Sequence, residues 1–531
     1  MHIAVLETQS NQPYIFASNR QAAALGASQL LLESCTKWVL EECVPSASGD
    51  LTSTHVRREV LGGQPPLDAL PQGDIHVAVA TSGRAVLISE RREDLEDKIF
   101  ALTLRALREA PGMGLTAGIA EFQRSDSARE SESRLQEAAP VWRAMSEASL
   151  RAKRNWMQAT RPEMRFTRMP LLRDCNLSSY PASCRVRTPD DVDEFRSLIV
   201  HRQIEARDRA LERIRQQMRD EDAGVRIAKE IDDLGSGWQA VIHADSNGFG
   251  ALFSALGKVL PRGDSECIES YRKFSLDLEQ VTITSLAVAI RQAPARPSVY
   301  PIVFGGDDVT LVARGEVGLD LVQRYLDEFS RRASEVLQEL PCPEDLRDIL
   351  PPSLSASAGV AFVKPGHPFF SAYELADELT SSAKRPYRGQ STNEHMVSAI
   401  DFHLLFDSTS STLDAIRERR QGSNPEPLHG GPYDALPSDA STPTRANLPK
   451  LSDLRAAAKE LFRARPVLRN LRATLGTTST TAEAQLRSAK SIRRINQEEF
   501  ERIVRLMEGR QLLDVIDLVD IEVPAVIGEG D

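Results

Sequence analysis

Short apolar runs alternate along this chain with longer stretches in which apolar residues recur every three or four positions. Ile3–Leu6 reads as a short buried strand, and Tyr14–Ala17 as a second extended piece. Gly26–Val44 carries Leu30, Leu31, Cys35, Trp38 and Val39 at helical spacing. Residues 45–74 are rich in Ser, Gly and Pro and read as a loop. Ile75–Ala80, the turn Thr81-Ser82-Gly83-Arg84 and Ala85–Ser89 predict a hairpin. A helix over 92–109 buries Leu95, Ile99, Leu102 and Ala106, and Leu115–Phe122 closes the unit as a strand. The order β-α-β-β-α-β is ferredoxin-like.

Residues 125–235 are polar and mostly helical in pattern. Asp190–Asp222 sets dense Arg, Glu and Gln around a sparse apolar stripe, as a solvated connector or an arm against another domain would. The first order then returns. Trp238–Ala244 predicts a strand, 249–258 and 265–292 helices, Val299–Phe304 and Val309–Ala313 a hairpin, 317–340 a helix, Ser355–Val363 a strand and 370–384 a last helix. Pro301 removes a ladder donor, so its strand belongs at a sheet edge. A unit repeated in one chain suggests an internal pseudo-dimer. After Phe402 the pattern is helical, with 450–472 and 481–517 as helices of a small bundle. The stretch 421–450, with six prolines and three glycines, predicts a flexible loop. The expected fold class is α+β: ferredoxin-like domains at 1–124 and 236–403, a helical connector at 125–235 and a helical C-terminal region at 404–531.

Composition narrows the function classes. The chain has 531 residues, 41% hydrophobic and 27% charged, as in a soluble globular protein. A net charge of −11 disfavours a protein that coats nucleic acid and leaves room only for local basic grooves. The longest apolar run, around Thr282–Ile290, is too short for a bilayer span, and the N-terminus lacks a secretory pattern. Six scattered cysteines with no CxxC pair read as reduced thiols. The expected compartment is the cytoplasm, with no membrane partner.

Candidate chemistry concentrates in the second unit. Asp245 ends a strand within His-Ala-Asp-Ser-Asn-Gly-Phe-Gly, and Asp307 and Asp308 sit at the hairpin tip Gly305-Gly306-Asp307-Asp308. Were that hairpin's second strand beside the first, three carboxylates would converge at one end of the sheet. Hard oxygen ligands gathered so select two Mg²⁺ or Mn²⁺ ions. Such ions hold a nucleotide's phosphates, activate an attacking hydroxyl and stabilise a pyrophosphate leaving group. Gly305 and Gly306 tighten the turn and admit a phosphate near the backbone. Asn247, Gly248 and Gly250 open a helix whose free N–H groups can receive a triphosphate. Lys384 is a further phosphate partner. A bare Gly-Gly-Asp-Asp is equally at home as a polar turn; Asp245 on the neighbouring strand favours the metal site.

His243–Leu256 (HADSNGFGALFSAL), Phe304–Val312 (FGGDDVTLV), Leu354–Val363 (LSASAGVAFV), His367-Pro368 and Ala376–Lys384 (ADELTSSAK) together resemble the second palm domain of the large polymerase/cyclase-like subunit of type III CRISPR complexes. Tyr14–Ser28 (YIFASNRQAAALGAS) and the 75–90 hairpin resemble its first palm domain, so the likeness covers about residues 1–400. It implies two palm domains that join ATP through 3′–5′ linkages into cyclic oligoadenylates, second messengers of antiviral defence read by a separate effector. By position, Asp245, Asp307 and Asp308 would hold the metals. Ser246, Asn247, Gly248, Phe249, Gly250, Gly305, Gly306 and Lys384 would border the nucleotide. RNA and other CRISPR-type subunits are the further partners implied.

Three departures qualify the likeness. No adjacent His-Asp pair occurs, so the nuclease domain common in that family is not expected. Cys175 and Cys184 supply two thiols where a closed zinc site wants four ligands, and read as structural or vestigial. The C-terminal region has no assigned counterpart, and the chain reads as a stand-alone relative. In the first unit the hairpin turn has no carboxylate and the first strand offers only Glu7, so this domain should not catalyse. Arg84 or Arg20 would approach an acceptor's phosphates if it lined a shared pocket, or simply be exposed if it only supports the fold. His243 and His367 read as packed or loop-fixing, and Arg202–Arg219 as a solvated helix face. Two alternatives stay open: a binder of nucleotide or RNA that does not turn it over, and a palm polymerase making linear products.

Overall fold

The computed structural model describes residues 1–71, 73–124, 138–159, 169–188, 191–220, 225–294, 297–306, 308–387, 397–406, 412–424, 427–436, 448–476 and 479–521. The first unit runs β1 (His2–Gln9), α1 (Asn11–Ile15), α2 (Gln21–Cys35), α3 (Lys37–Cys43), α4 (Thr54–Gly62), β2 (His76–Thr81), β3 (Arg84–Ser89), α5 (Arg92–Glu109), β4 (Gly114–Glu121) and α6 (Pro140–Gln158). A short antiparallel pair, β5 (Cys184–Arg187) and β6 (Asp193–Arg196), and the helix α7 (Leu198–Asp220) lead on. The second unit runs β7 (Gln239–Ser246), α8 (Phe249–Val259), α9 (Asp264–Gln292), β8 (Val299–Gly305), β9 (Asp308–Arg314), α10 (Gly315–Gln338), β10 (Ala356–Val363), α11 (Phe369–Lys384) and β11 (Ala399–Leu404). Beyond it come α12 (Leu413–Gln421), β12 (Tyr433–Asp434), α13 (Leu451–Glu460), α14 (Arg465–Leu475), α15 (Ser479–Ser491), α16 (Gln497–Glu508) and α17 (Leu512–Ile521).

The sheets have the orders β2-β3-β1-β4 and β12-β11-β10-β7-β9-β8. Their central strands are near-continuous apolar runs because both faces are covered; six successive residues of β1 are buried. β8, with Pro301, is an edge strand as its proline requires, and the ladder register shifts between Pro301 and Val303.

The two units superpose in logic down to single residues. Gly118 of β4 lies opposite Val5, and Gly359 of β10 opposite His243. A Cβ on Gly118 would stand 2.1 Å from the Ala148 carbonyl oxygen, and one on Gly359 2.0 Å from that of Ala376. Each glycine therefore lets a helix, α6 or α11, lie directly on its sheet. Counting from Ala148 and Ala376, Ser149 matches Asp377, Arg151 matches Leu379, Asn155 matches Ala383 and Trp156 matches Lys384. Where β11 covers the edge of β10, β4 has no further strand beside it among the described residues. Arg151 and Asn155 of α6 instead donate to the Ile119 and Ala117 carbonyls, at 2.6 and 2.9 Å. Gly359→Ala is expected to cost about 1–3 kcal/mol or more, because the clash is with backbone. A thermal melt beside the Gly118→Ala protein checks both copies at once; unchanged melting would refute the close approach.

The units also grip each other reciprocally: α2 of the first lies against β8 of the second, and α9 of the second against β2 of the first. Arg57 of α4 donates to the Ala80 carbonyl at the end of β2 (2.6 Å) and pairs with Glu279 of α9 (2.5 Å). Arg213 of α7 donates to the Phe304 carbonyl near the end of β8 (3.3 Å) and to Gln29 Oε1 of α2 (2.8 Å). Both arginines are buried, and burial brings Arg213 down to about 10.

Several expectations need correction. Tyr14–Ala17 is not extended: Tyr14 and Ile15 end α1, which accepts Pro13 in its first turn. The helix expected over Gly26–Val44 is two, broken at Thr36, whose hydroxyl turns back to the Leu32 carbonyl (2.6 Å). The loop 45–74 contains α4, whose buried face is Thr54, Arg57 and Leu61; a buried arginine hides the stripe from a hydropathy reading. The stretch 125–235 includes the β5–β6 pair, and β11 extends the second sheet in a stretch that the apolar pattern left mostly unassigned. Arg202–Arg219 is not a solvated face throughout. α7 packs on α2 so closely that a Cβ on Gly26 would lie 1.7 Å from the Gln203 carbonyl oxygen. Within 421–450, Tyr433 and Asp434 are buried against β11, while 425–426 and 437–447 lie outside the described residues. The C-terminal helices are tied on by ion pairs: Arg417 clasps Asp401 of β11, and Arg420 and Arg472 meet Asp517 of α17. Among the described residues no helix is long and apolar enough to cross a membrane.

Candidate active site

β7 lies between β9 and β10, and its C-terminal end carries Asp245. The β7–β9 register pairs His243 with Thr310 and Ala244 with Val309, so one step further sets Asp245 opposite Asp308. Directly opposed residues of an antiparallel pair share a face. His243 Nδ1 and Thr310 Oγ1, 2.9 Å apart, mark that face, and Asp245 and Asp308 continue it by period two. Asp307 lies outside the described residues. The structure thus brings together two of the three expected acids.

α11 closes this face from below. Tyr373, Asp377, Thr380 and Lys384 recur at i, i+4, i+7 and i+11, on one side of the helix. The Tyr373 ring meets His243 edge-on at 5.5 Å, Asp377 lies 3.5 Å from His243 Nε2, and Thr380 donates to the His243 carbonyl at 3.0 Å. Burial depresses the His243 pKa, opposed by Asp377. His243 is a packed, bonded side chain, as its place in the strand predicts. Burial and the neighbouring Asp377 and Asp308 carboxylates push the Tyr373 hydroxyl far up, so it stays protonated. Tyr373 and Asp377 were not among the expected site residues, although Asp377 lies within Ala376–Lys384; their helical spacing back from Lys384 was the available signal.

Lys384 ends the helix at the acids. Its ammonium contacts Asp245 Oδ2 and donates to the Ser246 carbonyl at 2.7 Å. Asn247 is spent on structure: its N–H donates to the Ser355 carbonyl (2.8 Å) and its amide to Ser355 Oγ (2.9 Å). Gly248, at φ +74°, turns the chain in the left-handed region, and α8 starts at Phe249 with no side-chain cap. The Phe249 ring is buried against Phe253 and Phe329, which leaves its backbone as the part that faces the site. Gly250 has open space around its Cα, and so does Gly306, at φ +69°. Gly305 lies against Ser82 of the first unit.

The first unit shows the same site with its chemistry altered. Glu7 stands opposite Arg84 and Thr116, as Asp245 stands opposite Asp308 and Ser357. Arg84 takes the place of the second acid and pairs with Glu7 at 3.1 Å; Ser149 donates to Glu7 at 2.5 Å, and Trp156 holds the position of Lys384. A guanidinium fixed on the only acid leaves no carboxylate pair. Arg20, the other arginine considered for an acceptor's phosphates, is paired with Glu194 at 2.9 Å. Cys175 and Cys184 are free thiols; no group of three or more metal-binding side chains occurs among the described residues.

A ferredoxin-like domain bearing opposed aspartates at the ends of two central strands, with a lysine brought to them by the following helix, has the architecture of a palm domain. Residues 238–392 match the family model described as Cas10/Cmr2, second palm domain. The fold is α+β and Cas10-like. A Csm1-Csm4 cassette in complex with pppApApA is similar over 98% of this chain and 69% of that one, at 10% identity and TM-score 0.50. The cassette in complex with cA4 is similar over 98% and 70%, at 10% identity and TM-score 0.46. Csm1 in T.onnurineus is similar over 99% and 65%, at 11% identity and TM-score 0.42. No curated protein matches the chain.

Proposed function

We propose that the chain is a nucleotidyltransferase that joins nucleoside triphosphates, ATP first among them, into a cyclic oligonucleotide signal of antiviral defence. The observation that carries this reading is the register placing Asp245 opposite Asp308, with Lys384 against them. Holding two carboxylates together costs repulsion, which a site for cations justifies and a polar turn does not. Two carboxylates and the Ser246 carbonyl are a hard oxygen donor set that suits Mg²⁺ or Mn²⁺. When bound, such ions would supply charge neutralisation of the phosphates and of the attacking 3′-hydroxyl. Asp307 completes the acid set by sequence.

The chain's own residues do the rest. Lys384 leaves Asp245 for the triphosphate, as one anionic partner is exchanged for another. The uncapped start of α8 offers backbone N–H groups to the same phosphates. Adenine is favoured by the likeness to a fold captured in complex with pppApApA. The Arg84–Glu7 pair leaves the first palm without catalytic acids. RNA or CRISPR-type subunits such as a Csm4 counterpart are proposed partners, and the product's effector is a separate protein.

The test is mass spectrometry of products after incubation with each triphosphate and Mg²⁺ or Mn²⁺, with and without RNA. Cyclic oligoadenylates are the expected result. Linear products alone would replace cyclase with polymerase, and nucleotide binding with no product under any condition would overturn catalysis.

A further inference from the structure

The first palm carries no acid pair, yet its hairpin tip reaches the hairpin of the second that carries Asp308. Gly305 and Gly306 give that turn the greatest backbone freedom a chain allows. An active-site acid, in contrast, has to be held to a fraction of an ångström. Something outside the turn must remove the freedom.

Three contacts do so. Thr282 of α9, itself buried, donates from Oγ1 to the Gly306 carbonyl at 2.8 Å. Arg213 donates to the Phe304 carbonyl one residue before the turn, at 3.3 Å. Ser82, at the tip of the first palm's hairpin, lies against Gly305, where an added Cβ would stand 3.1 Å from its Oγ. Ser82 is held in turn: its N–H points to Glu279 Oε2 at 3.4 Å, and Glu279 is clasped by Arg57, which also fixes the end of β2. Glu279 and Thr282 are i and i+3 on α9, so one face of one helix holds the tip of the first palm's hairpin and the turn of the second's.

We infer that the first palm serves as the abutment of the catalytic turn, with Ser82, Glu279 and Thr282 as positioning residues for the strand end that carries Asp308. This inference rests on the function proposed above, but its structural half can be read without turnover. A misplacement of about 1 Å is enough to cost on the order of 10²-fold in rate.

The variants are Thr282→Val, which keeps the shape and removes the donor, Thr282→Ser, which keeps the donor, and Ser82→Gly, which removes the abutment without touching the second palm. Hydrogen exchange of the peptide spanning 303–309 is followed in the full chain, without nucleotide, beside product formation. Faster exchange there is expected in Thr282→Val and Ser82→Gly and wild-type exchange in Thr282→Ser. In the first two, kcat should fall about 10- to 100-fold with KM for ATP nearly unchanged, and Thr282→Ser should restore it. A general loss of fold would instead speed exchange throughout and lower all three melting temperatures. Wild-type exchange at 303–309 in both Thr282→Val and Ser82→Gly would overturn the abutment, whatever the enzyme does. Should wild type make no product, the proposed function fails, and the exchange data alone decide whether the turn is propped.

Discussion

Replacing Asp245 or Asp308 by Asn is expected to lower product formation by at least about 10²- to 10³-fold, the scale of deleting one strong electrostatic contact to a reacting centre. An amide is isosteric with the carboxylate but neutral, so it loses both the charge that attracts a cation and part of its donor strength. Stability should change little. Asp245 is about a third exposed and its pairing with Lys384 is a partly solvated ion pair, a class worth about 0–1 kcal/mol. Losing that pair is offset by relief of repulsion between opposed acids. The check is product rate beside a thermal melt for each variant. A near-wild-type rate in both variants would refute the assignment, and a collapsed melting temperature would show that the acids are structural. Lys384 sharpens the comparison. In Asp245→Asn its ammonium loses its anionic partner but keeps the Ser246 carbonyl, so triphosphate binding should persist while turnover is lost. Binding and chemistry would then separate on neighbouring side chains.

Much of this was legible in the chain because two kinds of signal agree. Period-two and period-3.6 apolar patterns place β2, β3, α5, β4 and their counterparts within a residue or two, and β1 within three, since the central strands are buried on two faces and tolerate little polarity there. Asp245 stands out because a charged residue ends such a run, and Gly305-Gly306 because a tight turn follows another. The elements that escaped are those whose buried face is polar or whose partner is remote. α4 is anchored by Arg57, a residue that counts against burial until Glu279, more than two hundred positions away, is seen beside it. β11 pairs parallel with β10 across a connection, and nothing local marks it as a sheet member. The degeneracy of the first palm was half visible: the missing turn acid could be read directly, but Arg84 on Glu7 and Trp156 in place of Lys384 emerge only when the two copies are laid residue against residue. Asp307 falls outside the described residues, so its place in the acid set rests on sequence.

The junction between the palms should be the costliest place to damage. Arg57→Met is expected to destabilise the protein by about 3–5 kcal/mol, the price of leaving one partner of a buried ion pair uncompensated. Arg57 is fully buried and Glu279 is 5% exposed, so water cannot re-solvate the carboxylate left behind. Arg57 also satisfies the Ala80 carbonyl, and its Nη2 approaches the Thr52 carbonyl and the Thr54 hydroxyl, so acceptors at the end of β2 and the start of α4 lose a donor as well. Glu279→Gln should cost less, because an amide still bonds the guanidinium while leaving its charge unpaired. The double variant Arg57→Met/Glu279→Met should be more stable than Arg57→Met alone, since the stranded carboxylate is removed with its partner. Urea titrations of wild type, Arg57→Met, Glu279→Met and the double variant form a double-mutant cycle that measures the coupling. Additive effects, or a loss below about 1 kcal/mol for Arg57→Met, would contradict a load-carrying buried pair. A large coupling would place the main joint of the molecule directly behind the turn that presents Asp308, where a loosened interface is felt first as lost catalytic geometry and only then as unfolding.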